Sequence, residues 1–174
     1  MTYDRYMIGY KPVQISGVKE AVKELRKIDP ELRKQFNKDA KEVVRPVIEA
    51  AKSNYQAKYL SGMSRAWTQG GKPKFPYLQS KAKSGVRLKV DTRGKAVSII
   101  NVAQNNPAAV IVDMAGKGDK DRSRRGEVFI ANLTEKAGRP SRVMWPAFES
   151  NETQVQFAMV QLINSVMERV DKEI

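Results

Sequence analysis

After Ser16-Gly17, the apolar residues Val18, Ala21, Val22, Leu25 and Ile28 recur every three or four positions, with Lys19, Glu20, Lys23, Glu24, Arg26 and Lys27 between them. That spacing predicts a first amphipathic helix. Asp29-Pro30-Glu31 reads as a stop and a restart. Asp29 suits an N-cap, Pro30 the first helical position, and Glu31 the positive end of the helix dipole. A second helix is expected from Pro30 to about Tyr59, because Leu32, Phe36, Ala40, Val43, Val44, Val47, Ile48, Ala51 and Tyr55 form one apolar stripe. Pro46 lies inside it and cannot donate to the Glu42 carbonyl, a loss of about 3 kcal/mol in a helix interior. The stripe continues past Pro46, so a kink is expected there instead of an end.

The period then changes. Residues 61–85 are rich in Gly, Ser, Lys and Pro and read as a long loop, with Trp67, Phe75 and Tyr77 as packing anchors inside the fold or on a neighbour. Val86, Leu88 and Val90 alternate with Arg87 and Lys89, Asp91-Thr92-Arg93-Gly94 suits a hairpin turn, and residues 96–102 suit the returning strand. Asn105-Asn106-Pro107 turns the chain again, and the apolar run Ala108–Met114 reads as a third, central strand. A polar loop follows from Gly116 to Gly126, then one or two helical turns around Phe129, Ile130 and Leu133, within a basic stretch spanning residues 116–142. From Pro146 to Ile174, Val155, Met159, Leu162, Ile163, Val166, Val170 and Ile174 form the stripe of a long final helix. Phe157, Ala158 and Met167 widen that stripe beyond what one small sheet face needs, so subunit contact is expected as well. Residues 1–15 alternate loosely, are interrupted at Pro12, and read as an N-terminal arm. The expected architecture is a single α+β domain over 1–174. An antiparallel sheet of about three to four strands is packed by a kinked N-terminal helix pair and a long C-terminal helix.

Composition changes the functional picture more than the fold. The chain has no Cys and no His. Zinc, haem and iron–sulfur sites lose their usual ligands, and Ser-His and Cys-His nucleophile pairs cannot be built. No paired Asp/Glu cluster sits beside a Lys at strand ends, which disfavours a carboxylate-metal nuclease. No run of about 18 apolar residues exists to form a membrane span, and the first residues lack the basic-then-apolar form of a signal peptide.

The net charge of +13 is uneven. Residues 60–95 hold nine basic groups and one acidic, net +8, whereas residues 149–174 hold two basic and five acidic, net −3. A basic middle and an acidic tail suit a polyanion, an acidic protein, or head-to-tail contact between copies. The basic residues Arg65, Lys72, Lys74, Lys81 and Lys83 interleave with Trp67, Phe75 and Tyr77, and Lys120, Arg122, Arg124 and Arg125 form a second cluster. Such a mixture can bind nucleic acid through phosphates and stacking, or remain a solvated or protein-docked face. Asp119 and Asp121 mimic the first calcium-loop ligands, but Arg124 occupies the required glycine position and Ile130 the required glutamate. Gly70-Gly71-Lys72-Pro73 lacks the spacing of a phosphate loop.

Several segments, in order, carry a resemblance. They are Ile15-Ser16-Gly17-Val18-Lys19-Glu20, Arg45-Pro46-Val47-Ile48-Glu49-Ala50-Ala51-Lys52, Leu60-Ser61-Gly62-Met63, Ala109–Gly116 and Arg142-Val143-Met144-Trp145-Pro146-Ala147-Phe148-Glu149. Together they resemble the neck and tail-completion proteins of long-tailed phages, related to the lambda minor tail protein Z group. Ser61, Met63 and Asp113 stand where that family has Thr, Leu and Glu. The resemblance implies a virion protein assembled in the host cytoplasm, without cofactor or catalytic residues. It implies a ring, with a hexamer favoured, that joins the head connector to the tail tube. Its partners would be further copies of itself, head-completion or stopper proteins, and tail tube or terminator proteins, with room for non-specific contact with packaged DNA and none with a membrane. Trp67, Phe75, Tyr77, Trp145, Phe157 and Met167 are the candidate contact residues. A basic nucleic-acid-binding protein is the alternative.

Overall fold

The computed structural model describes residues 30–64, 67–69, 72–74, 76–90, 100–118 and 124–173. The expected N-terminal arm, first helix and 91–94 turn lie outside them. Helix α1 spans Pro30–Asn54 and runs through Pro46. Its buried positions Phe36, Ala40, Val44, Val47, Ile48 and Ala51 follow the stripe read from the sequence. Three exposed pairs line its outer face, Glu31–Lys34, Glu42–Arg45 and Glu49–Lys52. Such i,i+3 pairs add only about 0.3–0.5 kcal/mol each.

The helix ends at Asn54, short of Tyr59, because aromatic side chains take over its last carbonyls. The Tyr59 hydroxyl donates to the Asn54 carbonyl at 3.2 Å and accepts from the Gln56 N–H at 3.2 Å. The Tyr77 hydroxyl donates to the Gln56 carbonyl at 2.7 Å, and its ring meets Tyr59 edge-on at 5.3 Å.

Residues 61–85 contain more structure than the long loop expected of them. Strands β1 (Trp67–Gln69) and β2 (Lys72–Lys74) pair antiparallel, with Trp67 opposite Lys74 and Gln69 opposite Lys72. The Tyr77 N–H bonds to the Met63 carbonyl at 2.8 Å and closes the base of this excursion. Helix α2 (Gln79–Gly85) follows, held by the Gln79 amide, which donates to the Tyr55 carbonyl at 2.7 Å. Its sequence shows no helical stripe because only Ala82 and Gly85 are buried. A Cβ on Gly85 would lie 2.0 Å from the Gln104 Oε1 and 3.0 Å from the Asn106 Cβ, so a larger residue would displace the Gln104 side chain and press on Asn106.

Strands β3 (Val86–Val90) and β4 (Ile100–Gln104) form a second antiparallel ribbon, with Val86 opposite Gln104 and Val90 opposite Ile100. Val86 is buried, Leu88, Ile100 and Val102 pack partly buried against the core, and the ribbon lies on α1. The expected third strand is instead helix α3 (Pro107–Met114). The Asn106 side chain accepts from the Ala109 N–H at 2.9 Å as an N-cap, and Pro107 occupies the first turn. The described sheet structure is therefore two two-stranded ribbons, and the three-to-four-stranded sheet is corrected accordingly.

The stretch 116–142 also holds a helix, α4 (Arg124–Ala137), longer than the turns expected and buried through Leu133. The final helix is interrupted. Helix α5 (Met144–Glu149) and helix α6 (Glu152–Glu173) are separated at Ser150-Asn151, where the Asn151 amide bonds to the Ala147 carbonyl at 2.9 Å and the Asn151 carbonyl accepts the Val155 N–H at 3.0 Å. Both pack on α1. The core joins α1, the tyrosines, α2, β3, α3, Leu133, α5 and the inward positions Val155, Met159 and Ile163 of α6. Leu162 lies only partly buried at its edge.

Candidate functional site

Helix α3 is apolar on both sides. Ala108, Ala109, Val112 and Asp113 are buried, whereas Pro107, Val110, Ile111 and Met114 face outward. The outward set falls at i, i+3, i+4 and i+7, one continuous stripe. Val110, Ile111 and Met114 keep 40%, 42% and 37% of their surface exposed.

The C-terminal end of α3 is fixed by a charged junction. The Arg142 guanidinium donates through Nη1 to the carbonyls of Val112 at 2.9 Å, Ala115 at 3.0 Å and Asp113 at 3.4 Å. Its Nε donates to the Gly138 carbonyl at 2.7 Å and its Nη2 to the Thr134 Oγ1 at 3.2 Å. One planar fork thus satisfies the end of α3 and ties it to the end of α4, a geometry an ammonium cannot reproduce. Burial lowers the Arg142 pKa, and the nearby Asp113 charge opposes that shift.

Asp113 is 4% exposed and accepts the Val143 N–H at 2.7 Å, so it holds the approach to α5. Its own carbonyl accepts the Ser141 N–H at 2.8 Å. Ser141 sits at φ 71°, a left-handed conformation that costs a residue with a Cβ about 1 kcal/mol. Segments thirty residues apart in sequence, Val112–Gly116 and Arg142–Val143, are therefore joined by side chains and backbone together.

Helix α6 has a second outward face. Phe157, Val160 and Met167 are 65%, 45% and 37% exposed. With the exposed Asn164 they fall at i, i+3, i+7 and i+10, a heptad-like seam on a different side of the helix from the buried Val155, Met159, Ile163 and Val166.

The other candidate residues are distributed as follows. Tyr77 lies inside the fold, its hydroxyl on the Gln56 carbonyl just past α1 and its ring against Tyr59. Trp145 is half-buried, its ring 5.4 Å from that of Phe148. Trp67 is on β1, Lys72 and Lys74 on β2, and Arg124 and Arg125 open α4, all placed by backbone alone. Lys81 is exposed and Lys83 half-buried on α2, and Arg87 and Lys89 are exposed on β3. Arg65, Phe75, Lys120 and Arg122 lie outside the described residues.

The structure adds two features that composition did not single out. One is the outward face of α3, hidden in the sequence by the equally apolar inward face. The other is Arg142, which nothing in a lone sequence distinguishes from a surface arginine.

Among the described residues no group of three or more Asp or Glu side chains could hold a metal ion, and no helix is long and apolar enough to cross a membrane. No family model, curated protein or solved structure matches this chain.

Proposed function

We propose that this chain is a structural subunit of a long-tailed phage particle. It acts by association, not catalysis, as a ring-forming component of the neck between head connector and tail tube. The observation that carries the associative role is the pair of outward apolar stripes on α3 and α6, each on a helix whose opposite face already fills the core. Stripes of this kind remove apolar surface from water only when another surface covers them, at about 25 cal/mol per Å². The placement in a phage neck rests on the ordered resemblance. Two of its segments, Ala109–Gly116 and Arg142–Glu149, meet at the Asp113–Val143 and Arg142 bonds, although the first stands where that family has a strand and is here mostly helix α3.

The test is microscopy of particles made from the genome that encodes the chain, with the subunit tagged at an exposed site and counted in isolated necks. A closed ring at the head–tail junction is expected, with six copies favoured. Finding the chain as a monomer spread along packaged DNA, with no ring, would refute the reading. A second reading, a basic nucleic-acid-binding protein, is favoured by the exposed Lys81 on α2 and the exposed Arg87 and Lys89, which alternate onto one face of β3. It requires affinity for DNA that falls steeply with salt. Binding that does not change between low and physiological salt would remove it.

A further inference from the structure

We infer that the α6 stripe of one copy seats on the α3 stripe of the next, with the two helices running parallel. This deepens the ring reading and rests on it: it names the two surfaces that make the repeated contact. Three observations support it. First, the α6 stripe is long enough to cover the α3 stripe. Pro107 to Met114 spans about 10 Å of helix and Phe157 to Met167 about 15 Å, so the α3 face is covered by about two turns of α6. Second, the two faces differ, so the contact joins unlike surfaces, the kind that propagates head to tail and closes into a ring when the rotation allows.

Third, the surrounding charges are complementary and set the direction. Beyond Met114 the chain turns into Lys117, and Arg139 lies nearby because Pro140 packs against Gly116. Both cations are exposed. On α6, Met167 is followed by the exposed Glu168. Residues 116–148 carry net +4 and residues 149–174 net −3. A parallel arrangement puts Glu168 over Lys117 and Arg139, whereas pairing α6 with a second α6 would bring like net charges together. The apolar stripes supply the affinity and the charged ends select the orientation.

The native chain has no cysteine, so cross-linking has no background. Ile111→Cys and Phe157→Cys are made singly and together at these exposed positions, checked for native circular dichroism, and treated with a short bis-maleimide at assembling concentration. Mixing the two single variants should give a cross-linked pair, and neither variant alone should do so. The double variant should give a ladder of covalent oligomers that ends at the ring. In parallel, Phe157→Asp or Ile111→Asp should weaken association by about tenfold or more. Lys117→Glu should weaken it about two- to fivefold, and Glu168→Lys in the neighbouring copy should restore it. Oligomers that form normally but yield no mixed cross-link would overturn this contact while leaving the ring reading in place. Phe157→Cys cross-linking to itself would assign the stripe to an isologous α6–α6 contact. A chain that stays monomeric at every concentration, alone and in particles, would overturn both.

Discussion

Replacing Arg142 with alanine removes a side chain that holds two helix ends at once. Two of its bonds to α3 carbonyls are short, 2.9 Å to Val112 and 3.0 Å to Ala115, and a third reaches the Gly138 carbonyl at 2.7 Å. Hydrogen bonds involving a charged group contribute about 1.5–3 kcal/mol each. Arg142 is only half-buried, however, so water can reach part of the exposed carbonyls once the guanidinium is gone. Burying the charge is itself unfavourable, which is why its pKa is lowered. Together these reduce the expected loss to roughly 2–4 kcal/mol for Arg142→Ala. For a chain of this size that is a fall in Tm of roughly 5–15 °C. Arg142→Lys keeps the charge but can reach only one of the two ends, and should recover less than half of the loss. The assay is urea unfolding followed by circular dichroism, with the slope m checked for constancy. If Arg142→Ala unfolds within about 0.5 kcal/mol of the native chain, the range of an ordinary surface substitution, the guanidinium does not hold this junction.

Three further outcomes follow from the same structure. Burial raises the pKa values of Tyr55, Tyr59 and Tyr77, so folding favours their protonated forms; the stability they contribute is complete below about pH 10 and is lost as pH rises through their folded values. In an alkaline ultraviolet titration these three should ionise only as the chain unfolds, and early reversible ionisation of all six tyrosines would contradict their burial. Gly85→Ala should cost about 1–3 kcal/mol, measured by thermal melt, because the added Cβ meets Gln104 and the Asn106 backbone at once. Val110→Lys should be tolerated and Val112→Lys should prevent folding, measured as soluble yield and melting. A strand would place both residues on one face and give them the same fate, whereas α3 exposes the first and buries the second.

The elements visible in the sequence are those with one wet face and one dry face. The stripe of α1 repeats over 25 residues, and no competing period fits it. The β3 alternation of Val86, Leu88 and Val90 is equally clear. Helix α3 fails this test because eight residues with two apolar faces carry no period, and a short apolar run cannot be told from a buried strand by pattern alone. The available signal was local. Asn106-Pro107 is the same cap-and-proline pair as Asp29-Pro30, read there as a helix start and at 106 as a turn. Helix α2 was hidden for the opposite reason: only Ala82 and Gly85 are buried, and its order comes from the Gln79–Tyr55 bond and the fit of Gly85 against β4. The Ser150-Asn151 break was readable from its turn residues but was overridden by the long stripe beyond it. The charge asymmetry that frames the candidate contact was legible from the start, whereas the α3 half of that contact had no signature until the helix was known.

An eight-residue helix has little stability of its own, since nucleation is costly and few bonds follow it. Helix α3 exists because both its ends are tied, by Asn106 at the start and by Arg142 and Asp113 at the finish. The same ties decide which way its second apolar face points. A helix anchored only through its buried face could roll by part of a turn as side chains repack. One whose terminal carbonyls are gripped by a guanidinium fixed to Gly138 and Thr134 cannot roll without breaking those bonds. The Arg142 junction is therefore a folding feature with a consequence at the surface. It holds Val110, Ile111 and Met114 in one orientation, so that little ordering entropy would be lost in the proposed contact. On this argument Asp113 and Arg142 would act on the proposed contact through the orientation of α3, although neither side chain belongs to the exposed pad.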